Sequence, residues 1–304
     1  MHVFDGIAHL LKHNITGAPV VDSQGNYLGV FSEKCCMSVV TLTARGAREG
    51  EKRIANSLRA KDIMVSRLLT LSPEMDVFEA IGLLLKMRIS GAPVVDHERK
   101  FLGIFSEKTS MQVLISSGYD QLPTSRVGAF MNQDLQRIID EETSLLAIAQ
   151  IFLDTPYRRL EVVRHGQLLG QVSRRDVLRA EHHFSMYVRD YDDNLVKHSR
   201  MIHRCDGESE DTLPTLPSIE VASFMDQGAR TITEDTYFLQ IARIFLDTPY
   251  RRLPVLRNRA LVGQISRRDL LQVAHNMMAI TPKKRGAELL YLSSLMKRDE
   301  APMR

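Results

Sequence analysis

The chain has 304 residues, enough for about two ordinary globular units, and its 44% apolar and 25% charged residues suit a protein that buries a core. Against 37 acidic residues stand 40 basic ones, and the net charge of +3 is too small to imply a nucleic-acid or acidic-membrane partner. The apolar run Leu145–Leu153 is broken by Gln150 and is far shorter than the ~20 residues of a membrane span; no secretion-type leader is seen, so neither a span nor export is expected. Cys35, Cys36 and Cys205 follow no metal-ligand or redox spacing, and adjacent cysteines pair poorly, which points to a reducing, cytoplasmic setting.

In chain order the sequence divides into a first unit over 1–50, a second over 60–117, a third over 126–182, a linker over 183–219, a fourth unit over 220–280 and a terminal helix or tail over 281–304. Self-comparison sets these limits. Met1–Lys34 matches Met75–Lys108 at 20 of 34 positions, and Thr143–Leu178 matches Thr236–Leu271 at 24 of 36. All four units carry Gly-x-apolar-Ser, at Gly29–Ser32, Gly103–Ser106, Gly170–Ser173 and Gly263–Ser266.

The second unit shows the pattern most fully. Arg67–Leu71 predicts a strand, and Gln136–Ile139 and Arg230–Thr233 are its counterparts in units three and four. Ser72 and Pro73 predict a helix start, Val77, Ile81, Leu84 and Leu85 supply its apolar stripe, and Gly91 with Pro93 predicts its end. Two strands follow, Ala92–Val95 and Phe101–Phe105, joined by a turn over Asp96–Lys100. Ser106 then caps a second helix. Met1 aligns with Met75, so the first unit has no leading strand in this sequence: either the start lies upstream or the unit works with an incomplete sheet, whose open edge would favour an assembly contact. A unit of ~50 residues is too small to be stable alone, so the units are expected to pair through their sheets. Leu114–Val127 is expected to link the first pair to the second, and the acidic stretch Gly207–Pro217 to form a mobile loop within the linker.

Gly17–Asp22 with Leu28–Ser32, and Gly91–Asp96 with Leu102–Ser106, resemble the CBS domain (the cystathionine β-synthase-type repeat), as do Leu160–Val163 with Leu169–Ser173 and Leu253–Leu256 with Val262–Ser266. The resemblance implies an α/β (α+β) fold of four β-α-β-β-α repeats paired into two Bateman modules, expected to be units one with two and three with four. It also implies a regulatory protein that senses an adenosine nucleotide (AMP, ADP or ATP) in the cleft between repeats 3 and 4 and modulates a partner; no catalytic domain is recognisable in the sequence, so an enzyme is not expected. No other cofactor is required. A homodimer through the modules is expected, and the competing expectation is an assembly scaffold whose clefts bind nothing.

Candidate site residues fall in the later units. Ser173-Arg-Arg-Asp176 and Ser266-Arg-Arg-Asp269 place a carboxylate in the first turn of a helix, where it can accept from both hydroxyls of a ribose or simply complete a capping box with its serine. The resemblance assigns those serines and aspartates to the ribose. Arg158, Arg159, Arg251 and Arg252 stand just before a strand, where their guanidinium forks suit phosphate oxygens or a salt bridge to Asp154 or Asp247. Thr143 and Thr236 precede the first helices, as a nucleotide contact in the family or as caps. Arg174, Arg175, Arg267 and Arg268 are expected on solvated helix surface, and Tyr157 and Tyr250 in packing. Units one and two carry Cys35 and Thr109 in place of the aspartate, so their sites are expected to be empty. His182, His183, His198 and His203 match no metal pattern, and no nucleophile elbow or phosphate-binding glycine loop is present. Behind the basic Lys283–Arg285 comes an apolar stripe, Leu289, Leu292, Leu295 and Met296, that suits docking on the protein or a partner.

Overall fold

A computed structural model describes residues 1–46, 58–119, 125–181 and 220–280. The linker over 183–219 with its histidines, Cys205 and acidic loop, and the tail over 281–304, lie outside the described residues. The protein is α+β, with one helix–strand–strand–helix unit repeated four times. Repeat 1 holds α1 (Val3–Lys12), β1 (Gly17–Val21), β2 (Tyr27–Ser32) and α2 (Glu33–Gly46). A short α3 (Ala60–Ile63) precedes repeat 2, which holds α4 (Val77–Lys86), β3 (Gly91–Val95), β4 (Phe101–Ser106) and α5 (Glu107–Tyr119). Then come a short α6 (Val127–Phe130) and repeat 3, with β5 (Ile138–Ile139), α7 (Leu145–Asp154), β6 (Arg159–Arg164), β7 (Gln167–Ser173) and a helix, α8, whose described residues are 174–181. A 3-10 turn at Val221–Ser223 leads to repeat 4, with β8 (Ile232–Thr233), α9 (Phe238–Asp247), β9 (Arg252–Arg257), β10 (Ala260–Ser266) and α10 (Arg267–Ile280).

The hairpins follow their turn chemistry. Asp96 Oδ1 accepts from the backbone N–H groups of Glu98 and Lys100, and Asp22 does the same for Gln24 and Asn26. The predicted leading strands shrink to two residues in repeats 3 and 4, each parallel to the next strand, and to a single bridge between Leu71 and Val94 in repeat 2. In repeat 1 the described sheet has two strands.

The first helix of repeat 2 starts later than the sequence predicts. Asp76, not Ser72, caps α4, accepting from Phe78 and Glu79 N–H, while the Ser72 hydroxyl only closes a local turn with Glu74. An aspartate at the true N-cap outweighs a proline three positions upstream, because it satisfies two orphan donors of the helix. The helix also ends earlier. Lys86 is its last residue and Arg88 turns with φ 53°, which leaves Gly91 and Pro93 free to enter β3.

The pairing of repeats departs from the sequence order. Repeats 1 and 3 share one core through their helices: Val3, Ile7 and Leu10 of α1 and Met37 and Val40 of α2 pack with Leu145, Ile148 and Phe152 of α7 and with Val177 and Leu178. Repeats 2 and 4 do likewise, through Leu85 and Met111 against Ile241, Phe245, Leu270 and Leu271. The sheets join differently. Asn26 bridges to Ala260, tying repeat 1 to repeat 4, and Lys100 bridges to Gln167, tying repeat 2 to repeat 3. Phe101 and Ile104 then pack on Leu168 between those two sheets.

The four repeats therefore close a ring in the order 1–3–2–4. The expected sheet pairs, one with two and three with four, are its diagonals. Repeats 3 and 4 meet at the centre, where Arg158 donates to the Pro249 carbonyl 3.3 Å away. High identity between two repeats marks their shared ancestry and not their contact, which is set by which apolar face each surface can cover.

Each short segment ahead of a repeat crosses to a neighbour. Asp226 exchanges both backbone hydrogen bonds with Val30, Asn132 with Ile104, and Val65 with Gln171. The glycine one residue before each partner makes this possible: a Cβ would lie 2.8 Å from Asp226 O at Gly29, 2.7 Å from Asn132 O at Gly103 and 2.9 Å from Val65 O at Gly170. So the glycines of Gly-x-apolar-Ser are seats for a crossing backbone. Residues 120–124 of the expected inter-module linker lie outside the described residues, but its continuation Val127–Phe130 packs on repeat 2.

Candidate functional site

A cleft of about 440 Å³ opens where repeats 1 and 4 meet near the ring centre. One wall is the start of β1, Thr16–Pro19, with Ser32 and Cys35 from the end of β2 and the first turn of α2. The other wall is Tyr250 and Pro254 of repeat 4, with Phe224 and Asp226 from the crossing segment. Four arginines complete it: Arg158 and Arg174 from repeat 3, Arg251 and Arg252 from repeat 4. Their convergence follows from the fold, since the Thr-Pro-Tyr-Arg-Arg turns of the two diagonal repeats both point at the centre.

The arginines differ in how far their charge is answered. Arg251 donates to Glu107 Oε2 at 2.9 Å, and Arg268 lies 3.2 Å from Glu107 Oε1. Arg175 pairs with Glu33 at 2.8 Å across the 1–3 interface. Arg158 and Arg252, by contrast, have only neutral partners among the described residues: the Pro249 carbonyl and, at 3.2 Å, the Thr16 hydroxyl. Burial, and then the positive charges of Arg251, Arg174 and Arg267, hold the Arg158 guanidinium well below the ordinary arginine range. Burial and Arg251 act in the same direction on Arg252. Four arginines thus line the cleft against two carboxylates, Glu33 and Asp226, and Arg158 and Arg252 make no ion pair among the described residues, a setting that suits a phosphate group.

The sequence-predicted site residues separate into two groups. Arg158, Arg251 and Arg252 reach this cleft together, and Arg159 turns to the Gly91 carbonyl, 3.3 Å away on the repeat 2 side. Asp176 and Asp269 do not line it. Asp176 Oδ2 accepts from Ser173 N–H at 2.8 Å and Ser173 Oγ–H at 2.5 Å, and Asp269 Oδ2 accepts from Ser266 at 2.8 Å in both places. They complete the capping boxes that were the competing reading of Ser-x-x-Asp. The Thr143 carbonyl accepts from Ala60 N–H, and the Thr236 hydroxyl from Thr233 N–H. The described cleft lies where the joined sheets of repeats 1 and 4 meet, with Leu153, Pro156, Arg158 and Arg174 of repeat 3 also lining it.

Two expectations on the arginines and the early repeats also change. Arg174 and Arg267 are not solvated: each is over nine-tenths buried, stacked 5.7 Å from the ring of Phe152 or Phe245, and bonded to carbonyls at the end of its repeat's first helix. Burial lowers both to about 10. Arg175 and Arg268 stitch repeats together instead of facing water. Repeat 1, whose own site is expected to be empty or structural, supplies one wall of the cleft, with Cys35 Sγ 3.4 Å from Ser32 Oγ in the position of the aspartate. Phe224 and Asp226 were missed altogether. Their recurring signal is an apolar residue followed by Met, at Ile63-Met64, Phe130-Met131 and Phe224-Met225. Among the described residues no group of three or more His, Cys, Asp or Glu could hold a metal, and no helix is long and apolar enough to cross a membrane.

Comparison with known proteins bears on the family. The uncharacterized protein MJ1225 of Methanocaldococcus jannaschii is 23% identical over 265 residues, 84% of this chain and 85% of that one. The chloroplastic CBS domain-containing protein CBSX1 of Arabidopsis thaliana is 32% identical over 133 residues, 36% of this chain and 56% of that protein. A crystal structure of CBSX2 in complex with AMP aligns with a TM-score of 0.38 and 26% identity, covering 42% of this chain and 98% of that one. The family described as CBS domain matches residues 1–41, 60–109, 127–183 and 221–276, well over half of the chain. With four matched segments coinciding with four structural repeats, the chain belongs to the CBS domain family.

Proposed function

We propose that this protein is a regulatory nucleotide sensor that takes an adenosine nucleotide in the cleft between repeats 1 and 4. Arg158, Arg251 and Arg252 hold the phosphates, and the start of β1 with Tyr250 flanks the rest of the ligand. The observation that carries the reading is that Arg158 and Arg252, in a cleft of ligand size, bond only to neutral groups among the described residues. Family membership supports a nucleoside as the remainder. Bound phosphate would draw the tips of repeats 1, 3 and 4 together at the ring centre, and a partner protein would read the change. Such a shift extends only as far as the ligand's differential affinity for the two arrangements. Helices of repeats 1 and 3, and of repeats 2 and 4, share cores within one chain, so the cleft forms without a second copy.

Thermal unfolding of the full chain with AMP, ADP, ATP, NAD and S-adenosylmethionine tests this. A ligand at 100-fold its Kd stabilises by about 2.7 kcal/mol. The double variant Arg158→Gln with Arg252→Gln removes no ion pair seen among the described residues, so it should remain folded and lose that shift. Retention of the full shift would overturn the reading. The scaffold alternative rests on the inter-repeat pairs Arg175–Glu33 and Arg251–Glu107. It expects no ligand shift at all.

A further inference from the structure

We propose that the C-terminal segment 291–297, Tyr-Leu-Ser-Ser-Leu-Met-Lys, docks on β10 and the start of α9 of the same chain, in the seat that a crossing segment fills on each of the other three repeats. Among the described residues, three repeats receive a crossing segment and the fourth does not. At Gly263 nothing lies within 4 Å of where a Cβ would be, whereas Gly29, Gly103 and Gly170 are each covered by backbone. The same vacancy shows at the first helix. Val3, Val77 and Leu145, the opening residues of α1, α4 and α7, are at most 2% exposed, but Phe238, which opens α9, is 42% exposed, with Tyr237 at 69% and Val262 at 43%.

The three crossing segments share a pattern that the tail repeats. Arg59-Ala-Lys-Asp-Ile-Met64, Arg126-Val-Gly-Ala-Phe-Met131 and Glu220-Val-Ala-Ser-Phe-Met225 have a buried Ala or Val at the second position and Ile or Phe before Met. Tyr291-Leu-Ser-Ser-Leu-Met296 has Leu292, Leu295 and Met296 in those places. Register follows from the three seated examples. Val127 N–H donates to Met75 O, and Asn132 pairs with Ile104. By equivalence Leu292 N–H meets Thr236 O, and Lys297 pairs with Gln264. Reach is sufficient: after α5 ends at Tyr119, six residues precede Arg126, which seats on its own repeat, whereas ten residues separate Ile280 from Tyr291. The apolar stripe of the tail thereby gains an occupant's role, and Gln264, which also lines the nucleotide cleft, places the docked segment beside it.

Hydrogen–deuterium exchange on the full chain tests the docking. Amides of 292–297 should exchange at least about tenfold more slowly than in Gly263→Val, whose new side chain meets no described atom but occupies the seat. A second variant, Met296→Asp, should speed exchange at Val262–Gln264. Unprotected 292–297 amides in the parent chain, or protection unchanged by both variants, would overturn the proposal. Protection that rises with protein concentration would also overturn it, since a second copy would then be the occupant.

Discussion

At the scale of single residues, chemistry at this ring is decided by which charges find partners. Asp176 and Asp269 spend Oδ2 on the serine that starts their helix, so Asp269→Ala should cost about 1 kcal/mol in chemical denaturation, as lost caps do. It should leave the nucleotide-induced shift intact, and loss of that shift would return the aspartate to the binding site. Glu161 is a sharper case. It is fully buried in β6, takes one hydrogen bond from Gln171 Nε2 at 2.8 Å, and has Oε1 unpartnered, and burial pushes its carboxyl from 4.5 to about 7. A carboxyl raised in this way binds protons more readily folded than unfolded. Its penalty is absent below pH 4.5, grows as pH rises to about 7 and is constant above. Glu161→Gln should therefore stabilise by on the order of 3 kcal/mol at pH 8 and by little at pH 4, measured as the difference in unfolding free energy. A pH-independent effect would show that Glu161 does not titrate in this range.

At the scale of elements, the crossing segments govern stability more than the hairpins do. Gly103→Val forces a side chain against the Asn132 carbonyl, and overpacking of this kind costs about 1–3 kcal/mol. Gly263→Val meets nothing in the described core and should change unfolding by a smaller amount, a contrast that one denaturant series resolves. Phe152→Ala empties the centre of the core shared by α1, α2, α7 and α8, and a loss of about 3–5 kcal/mol is expected. Element identity was legible from local signals: Gly-Ala-Pro-Val-Val strands, Asp-led turns and the serine at each second helix. Element limits were less so. Whether Ser72 or Asp76 caps a helix depends on the register at which its apolar stripe meets the neighbouring repeat.

At the scale of the whole molecule, the ring makes the repeats interdependent. Repeat 1 completes its core with repeat 3 and its cleft with repeat 4, so residues 1–119 contain two repeats that are not neighbours. Expressed alone, that fragment should lack a cooperative unfolding transition, whereas the full chain should unfold in one, by calorimetry. Independent melting of the two halves would contradict the ring order.

The amino-acid order by itself determined the number of repeats, their internal hairpins and the residue types available for a phosphate, because these are written in short-range patterns and in duplicated text. Arg158 and Arg251 were recognisable as a pair for that reason. The true neighbours of Arg252 and Arg251 were not, since Thr16 and Glu107 lie 236 and 144 residues away from them. Only tertiary structure decided that repeat 1 faces repeat 4, that the aspartates serve as caps and that Arg174 is buried. Those outcomes depend on which apolar surfaces cover one another most completely, a property of all four repeats at once and of no segment alone.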